Sequence, residues 1–250
     1  MKTLELVCKD NIIIITLRRG KVNALNELMV DELLQVLTNV INNPRIDVVI
    51  ITGYGKFFSF GFDIPSFIRY TKSDFKKYLL KFTSLYRLIF MTPIPVIAAL
   101  NGHTIAGGCM IATACDYRVM AKGNGKISLN ELSFGSTVFN GSMEILRYCV
   151  GQKNAQEILF TAKMYSVKEA FKIGLIDKIV PENDLINIAL SISQEYASRD
   201  KSAFSSMKRM LRSSVDERIK ETEVKSIDEF LEVWFSEDTM TKLKKIKIYS

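Results

Sequence analysis

Two features of this 250-residue chain have the residue types for chemistry: a glycine pair, Gly107-Gly108, and a later carboxylate, Glu131. The glycines lie inside residues 95–116, where the apolar run 96–100 is bounded by Pro95 and by Asn101-Gly102 and reads as a buried strand. After a short turn the pair opens a second apolar run, residues 109–114, whose small side chains suit a tightly packed helix. Glycines at such a junction let the backbone approach a ligand and aim free N–H groups at negative charge. That is how a protein holds a developing oxyanion without any side chain. Glycine pairs also occur simply because two elements pack closely, and the local pattern leaves both readings open. Glu131 follows Ile127-Ser128-Leu129-Asn130, at the end of a short strand or in the loop after it. A carboxylate there can act as a general base. On residue type alone, the ordinary reading is an exposed loop side chain.

The remaining candidates are weaker. His103, the single histidine, sits in the turn before the glycine pair, where structural hydrogen bonding is the expected role. Asp63 and Asp116 read as caps or turn residues. The four cysteines, Cys8, Cys109, Cys115 and Cys149, lie in apolar runs with no C-x-x-C pair. That argues against a zinc site and against a disulfide framework, and a reducing cytoplasm is the expected setting.

The elements that must position these residues follow from periodicity. Residues 4–8 and 12–17 are β-branched runs around Lys9-Asp10-Asn11, a hairpin pattern. Asn26 is placed to cap a helix over residues 27–41, with apolar positions at Leu28, Leu33, Leu34, Leu37 and Ile41, and Asn42-Asn43-Pro44 stops it. Residues 48–52 read as a buried strand, residues 56–64 as an aromatic loop bent at Gly61, and residues 74–91 as an amphipathic helix. Residues 117–121 give a further strand. Beyond Gly141 the pattern is mostly helical: 142–150, 154–162, 167–173, 184–198, 201–213 and 216–235, then 238 onward, with a short strand at 176–180. No Gly/Ser/Pro-rich linker divides the chain, so one α/β domain with a helical C-terminal extension is expected.

Composition narrows the partners. Net charge is +7, but Lys and Arg are scattered except at Lys242, Lys244, Lys245 and Lys247. With no basic face interleaved with aromatics, nucleic acid is not an expected partner. The excess suits an anionic small molecule, while a solvated helix face is the plainer reading of the cluster. No apolar run reaches the ~20 residues of a membrane helix; the longest candidate, residues 85–100, is broken by Pro93 and Pro95. The N-terminus, Met1-Lys2-Thr3-Leu4-Glu5, has no signal-peptide pattern.

Four stretches in order resemble the crotonase superfamily, the enoyl-CoA hydratase/isomerase family: Val22-Asn23-Ala24-Leu25-Asn26, residues 48–53 with 57–64, residues 95–116, and Gly174-Leu175-Ile176-Asp177. The resemblance covers nearly the whole chain. It implies an α/β fold built as a crotonase-like spiral of ββα units over residues 1–195, with a helical C-terminal trimerisation region over 196–250. It also implies a homotrimer or a dimer of trimers. The implied ligand is an acyl-CoA or acyl-carrier thioester, with no metal and no cofactor beyond the CoA carried by the substrate. Its carbonyl oxygen would be held by two backbone N–H groups, which the resemblance puts on Phe60 and Gly107. Ala24, Phe60, Gly61, Phe62, Asp63, Ile64 and Gly107 would contact the substrate and its CoA moiety. Phe60 and Phe62 depart from the commoner Ala-Gly-Ala-Asp form of that loop.

The same resemblance bears on the reaction. Hydratases of the family use two glutamates; the first position matches Met110 and the second Glu131. A thioether carries no proton at neutral pH, so water addition loses one of its two acid/base groups. The context Leu129-Asn130-Glu131 is similar to the enoyl-CoA isomerase branch, in which one glutamate does all the proton transfer. The expected activity is therefore delta3-delta2-enoyl-CoA isomerisation with Glu131 as sole acid and base, its pKa raised by burial among Leu129, Leu132 and Phe134. Two alternatives accompany it. One is a crotonase-like decarboxylase or hydratase acting on CoA- or carrier-bound acyl groups, as in polyketide pathways. The other is a non-catalytic acyl-CoA-binding relative.

Overall fold

The β-branched runs at the start of the chain pair as the expected antiparallel hairpin, β1 (Leu4–Lys9) and β2 (Ile12–Leu17). α1 (Glu27–Ile41) begins where its cap predicts, with the Met29 N–H donating to the Asn26 side chain at 3.0 Å. The computed structural model describes residues 1–246. After α1 come β3 (Val48–Gly53), β4 (Phe57–Ser59), the short α2 (Ile64–Phe67) and α3 (Lys72–Met91). Next are β5 (Val96–Leu100), β6 (His103–Ile105), α4 (Gly107–Ala114), β7 (Tyr117–Ala121), β8 (Lys126–Ser128) and a 3-10 turn, Glu131–Phe134. The rest is α5 (Asn140–Thr161), β9 (Tyr165–Ser166), α6 (Val167–Lys172), β10 (Lys178–Val180), α7 (Leu185–Ala197), α8 (Lys201–Trp234) and α9 (Glu237–Leu243).

The strands form two sheets; the hairpin β1-β2 lies wholly in the larger, and the successive pairs β3/β4, β5/β6 and β7/β8 each contribute one strand to each. The larger sheet has the order β1-β2-β3-β5-β7-β10 and is parallel beyond the hairpin. Strand periodicity splits its residues between two cores. Ile13, Ile15, Val49, Ile51 and Ala98 join the main core with α1, α3 and α4. Ile12, Ile14, Val48, Ile50 and Ile97 enter a second core closed by Leu185 and Ala189 of α7. The smaller sheet has the order β4-β6-β8-β9, in which β4, β6 and β8 are parallel neighbours. The sequence reading treats 57–59 and 103–105 as loop and turn, because a three-residue strand is too short to show a period of two.

At the C-terminal end the helices divide differently from expectation. Residues 201–213 and 216–235 are one 34-residue helix, α8; Ser213-Ser214 weakens helical propensity but contains neither Gly nor Pro to break it. Val215, Ile219, Ile227 and Phe230 of α8 belong to the same core as the large sheet, packed over α3 and α5. Asp116 holds the start of α8, pairing with Lys208 Nζ at 2.7 Å and Arg212 at 3.0 Å and accepting the Val96 N–H at 2.7 Å. It is therefore an anchor between sheet and helix, beyond the turn residue it reads as. The two helices expected at 142–150 and 154–162 form α5, kinked at Gly151, whose φ of 76° and ψ of 164° are not helical. Lys242, Lys244 and Lys245 are exposed, and Lys247 of that cluster lies outside the described residues. Among the described residues no helix is long and apolar enough to cross a membrane.

Candidate active site

The small sheet decides where the chemistry-bearing residues meet. β4, β6 and β8 run parallel and side by side, with Phe57 opposite His103, Thr104 opposite Ile127 and Ile105 opposite Ser128. Their carboxyl ends lead directly into residues 60–64, the glycine pair and Glu131, respectively. Three segments far apart in sequence thus emerge at one edge, where ligands of parallel α/β sheets generally bind. The Ala106 N–H donates to the Ser128 carbonyl at 2.8 Å, tying the start of α4 to the strand before Glu131.

A cavity of about 280 Å³ opens at this edge. Its walls are Phe60, Phe62 and Ile64 from the first segment, Ile105, Ala106 and Met110 from the second, and Asn130, Glu131, Ser133 and Phe134 from the third. Phe230 and Trp234 of α8 and Ile246 close it. Among these described residues Glu131 is the only ionisable side chain, and it is 6% exposed. Burial pushes its carboxyl up to about 8; the opposing influence is its own backbone N–H. Leu129 is buried as expected, whereas Leu132 is 55% exposed and takes no part in drying the carboxyl. Met110 and the aromatic wall do that instead. Four buried polar atoms without partners among the described residues gather on this turn and wall: Asn130 Oδ1, Glu131 Oε2, Ser136 Oγ and Trp234 Nε1. Buried polar groups normally find a partner, so this concentration is one reason to read the cavity as a candidate site.

Accounting for the backbone N–H groups revises one expectation. The Phe60 N–H donates to the Val22 carbonyl at 2.9 Å, so that donor is already used. Phe62 is different. It forms a parallel bridge with Leu25, whose N–H and carbonyl bond to Gly61 and Asp63, which leaves the Phe62 N–H without an acceptor among the described residues. The Gly107 N–H is likewise free there, as the first residue of α4 must be. The two segments meet: a Cβ on Gly61 would lie 3.0 Å from the Gly107 nitrogen. The sequence reading does not find the free Phe62 N–H, because the choice between alternate residues of an extended loop depends on which neighbour each N–H faces.

The packing reading of the glycines also holds. A Cβ on Gly107 would meet the Phe62 ring at 3.1 Å, and one on Gly108 would meet the Ser59 carbonyl oxygen at 2.7 Å. Just before the pair, Ala106 adopts φ 49° and ψ −119°, a conformation normally left to glycine. Such strain costs on the order of 1–3 kcal/mol and persists where the surroundings force it, here at the cavity wall.

The other named residues support this edge. Ala24 is buried, and its carbonyl accepts from Arg19 at 3.0 Å; Arg19 also pairs with Asp63 at 2.6 Å, and Asp63 accepts from Ser66 at 2.8 Å. Asp63 thus braces the loop. Asn23, which the sequence reading leaves without a role, is a hub at φ 50°. Its amide donates to the Tyr54 and Phe57 carbonyls at 3.0 and 2.8 Å, and its carbonyl accepts from Ser59 Oγ at 2.8 Å. An asparagine able to adopt a left-handed conformation is the signal that could have found it. His103 stays outside the cavity and stacks on Phe57 with ring centroids 4.9 Å apart, where hydrogen bonding was expected. The Phe62 ring packs edge-on against Tyr78 and Phe82, so it is core as much as cavity wall.

A profile described as enoyl-CoA hydratase/isomerase matches residues 8–247. The chain belongs to that family, the crotonase superfamily. Its sequence is 32% identical over 192 residues to the short-chain-enoyl-CoA hydratase of Clostridium acetobutylicum, covering 76% of this chain and 73% of that one. It is 33% identical to the crotonyl-CoA hydratase of Syntrophomonas wolfei, covering 71% and 69%. In three dimensions the human mitochondrial delta3-delta2-enoyl-CoA isomerase superposes with a TM-score of 0.93 over 97% of this chain and 95% of that one, at 22% identity. That likeness establishes the crotonase fold with its helical C-terminal region. The family comprises both hydratases and isomerases, and this chain is an enzyme of that family.

Proposed function

We propose that this crotonase-family chain is a delta3-delta2-enoyl-CoA isomerase. The observation that carries the reading is the cavity wall: Glu131 is its only ionisable side chain among the described residues, and Met110 lines it where a second carboxylate would have to stand. Glu131 takes a proton from C2 of a 3-enoyl thioester. The charge moves to the thioester oxygen as a dienolate, held by the N–H groups of Phe62 and Gly107. Glu131 then returns the proton at C4 to give the conjugated 2-trans-enoyl thioester. One such donor in a dry site contributes roughly 3 kcal/mol to the transition state. The raised pKa suits the task, since a carboxylate that binds its proton more tightly is the stronger base once ionised. Ala24 and the loop from Phe60 to Ile64 border the CoA end, and CoA enters as part of the substrate. Assembly as a homotrimer or dimer of trimers belongs to the same reading; sedimentation should find three or six copies.

The test is direct. The purified chain should convert 3-enoyl-CoA to the conjugated product, and Glu131→Gln should lose at least ~100-fold in kcat while still binding CoA esters. Full activity in Glu131→Gln, or efficient formation of 3-hydroxyacyl-CoA from 2-enoyl-CoA, overturns the assignment.

A further inference from the structure

The turn that carries Glu131 is braced by the last described helix. The 3-10 turn Glu131–Phe134 ends at Gly135, which adopts φ 83°. Within the turn, the Gly135 N–H donates to Leu132 at 3.1 Å and the Ser136 N–H to Glu131 at 3.0 Å. A turn this short has poor hydrogen-bond geometry and little intrinsic stability. The carbonyl of Gly135, the residue that ends the turn, accepts from Thr239 Oγ1 of α9 at 2.7 Å. Thr239 is 2% exposed. Its hydroxyl is not needed to cap its own helix, because Ser236 does that by accepting the Thr239 N–H at 3.4 Å. One turn further, Leu243 is fully buried, and beyond it Ile246 reaches the cavity wall beside Glu131. Gly135 fits tightly beneath: a Cβ there would lie 3.0 Å from Lys242 Nζ and 3.3 Å from Thr239 Oγ1.

We propose that Thr239 is a positioning residue for the Glu131 base. Through its hydrogen bond to Gly135, α9 clamps the catalytic turn and fixes where the carboxylate lies against the α-carbon of the substrate. The inference rests on the isomerase reading. A base that must reach C2 and then C4 of one bound substrate tolerates little displacement, and a shift of about 1 Å costs on the order of 100-fold. Substrate affinity depends on the apolar walls and the backbone donors instead, so the clamp should act on turnover.

The experiment compares full-length wild type, Thr239→Val, Thr239→Ser and Gly135→Ala with a 3-enoyl-CoA substrate. Thr239→Val should lose roughly 10-fold or more in kcat with KM nearly unchanged, and Thr239→Ser, which keeps the hydroxyl, should recover most of it. Gly135→Ala disturbs the same contact from the other side and should reproduce the kcat loss, which covers the case of a Thr239→Val chain that does not fold. Unchanged kcat in either folded variant, or a lowered Tm with kcat intact, overturns the clamp and leaves Thr239 as a packing residue. An inactive wild type overturns the isomerase reading itself, an outcome distinct from an active wild type indifferent to Thr239→Val.

Discussion

Glu131 is deprived of water without being given a counter-charge, and both its chemistry and its cost follow. Its carboxyl is pushed up to about 8 by burial. The folded chain therefore keeps the proton over a range where the unfolded chain, near the ordinary value of 4.5, has released it. A raised carboxyl pKa contributes stability that is fully present below the unfolded value and is lost as pH rises through the folded one, at about 1.4 kcal/mol per pH unit. Glu131→Gln should thus match wild type in urea unfolding near pH 4 and become more stable by a few kcal/mol at pH 8 and above. Identical unfolding curves at pH 8 would show a hydrated carboxyl. Activity has the opposite slope: kcat/KM of the wild type should climb with pH to a midpoint near 8, as the base ionises. Met110 makes a second check. It is buried on the cavity wall and carries no proton. Met110→Leu should cost less than ~1.5 kcal/mol of stability and leave isomerisation at the same order, whereas a proton-transfer residue could not be replaced so cheaply.

At the scale of elements, the site is the common edge of β4, β6 and β8. Each strand is only three residues long, so register is held less by the ladder than by what packs at its ends. Gly61 shows how little room is left. It has φ 93°, and a Cβ would meet both Ala106 Cβ and the Ile105 carbonyl oxygen at 2.9 Å. Gly61→Ala should destabilise the chain by roughly 1–3 kcal/mol and abolish turnover, because it drives apart the two segments that carry the Phe62 and Gly107 donors. Circular dichroism melts and kcat measured on the same preparation check both halves. A stable, active Gly61→Ala would show that these segments need not touch.

For the molecule as a whole, α8 joins distant parts by spanning the core and ending at the cavity. Its start is fixed by Asp116, buried with Lys208 and Arg212, and its end supplies Phe230 and Trp234 to the cavity wall. Burial pulls Lys208 down to about 8 despite its partner Asp116. Removing the carboxylate leaves the buried Arg212 guanidinium without its counter-charge and lowers Lys208 further, toward loss of its proton. Asp116→Asn should therefore cost about 3–5 kcal/mol at pH 7, measured by denaturant unfolding. An unaltered midpoint would mean that water already solvates this cluster.

The sequence by itself determined the long elements, the family and the acid/base candidate. The strands of the large sheet and α1 announce themselves because burial on one or both faces imposes a period that several residues repeat. Glu131 and Met110 could be read from position within motifs. The sequence left open whether the glycine pair binds or packs, and in the fold each glycine sits where a side chain would collide while Gly107 keeps its N–H free. Only the tertiary structure decided that the Phe62 N–H, and not that of Phe60, is left free among the described residues, because an N–H is free or used according to what lies across from it, and Val22 lies across from Phe60. Likewise only the fold dried Glu131, whose ordinary character as a loop carboxylate is overturned by α4 and α8 closing over it. Burial is a property of neighbours brought from elsewhere in the chain, and no local pattern encodes it.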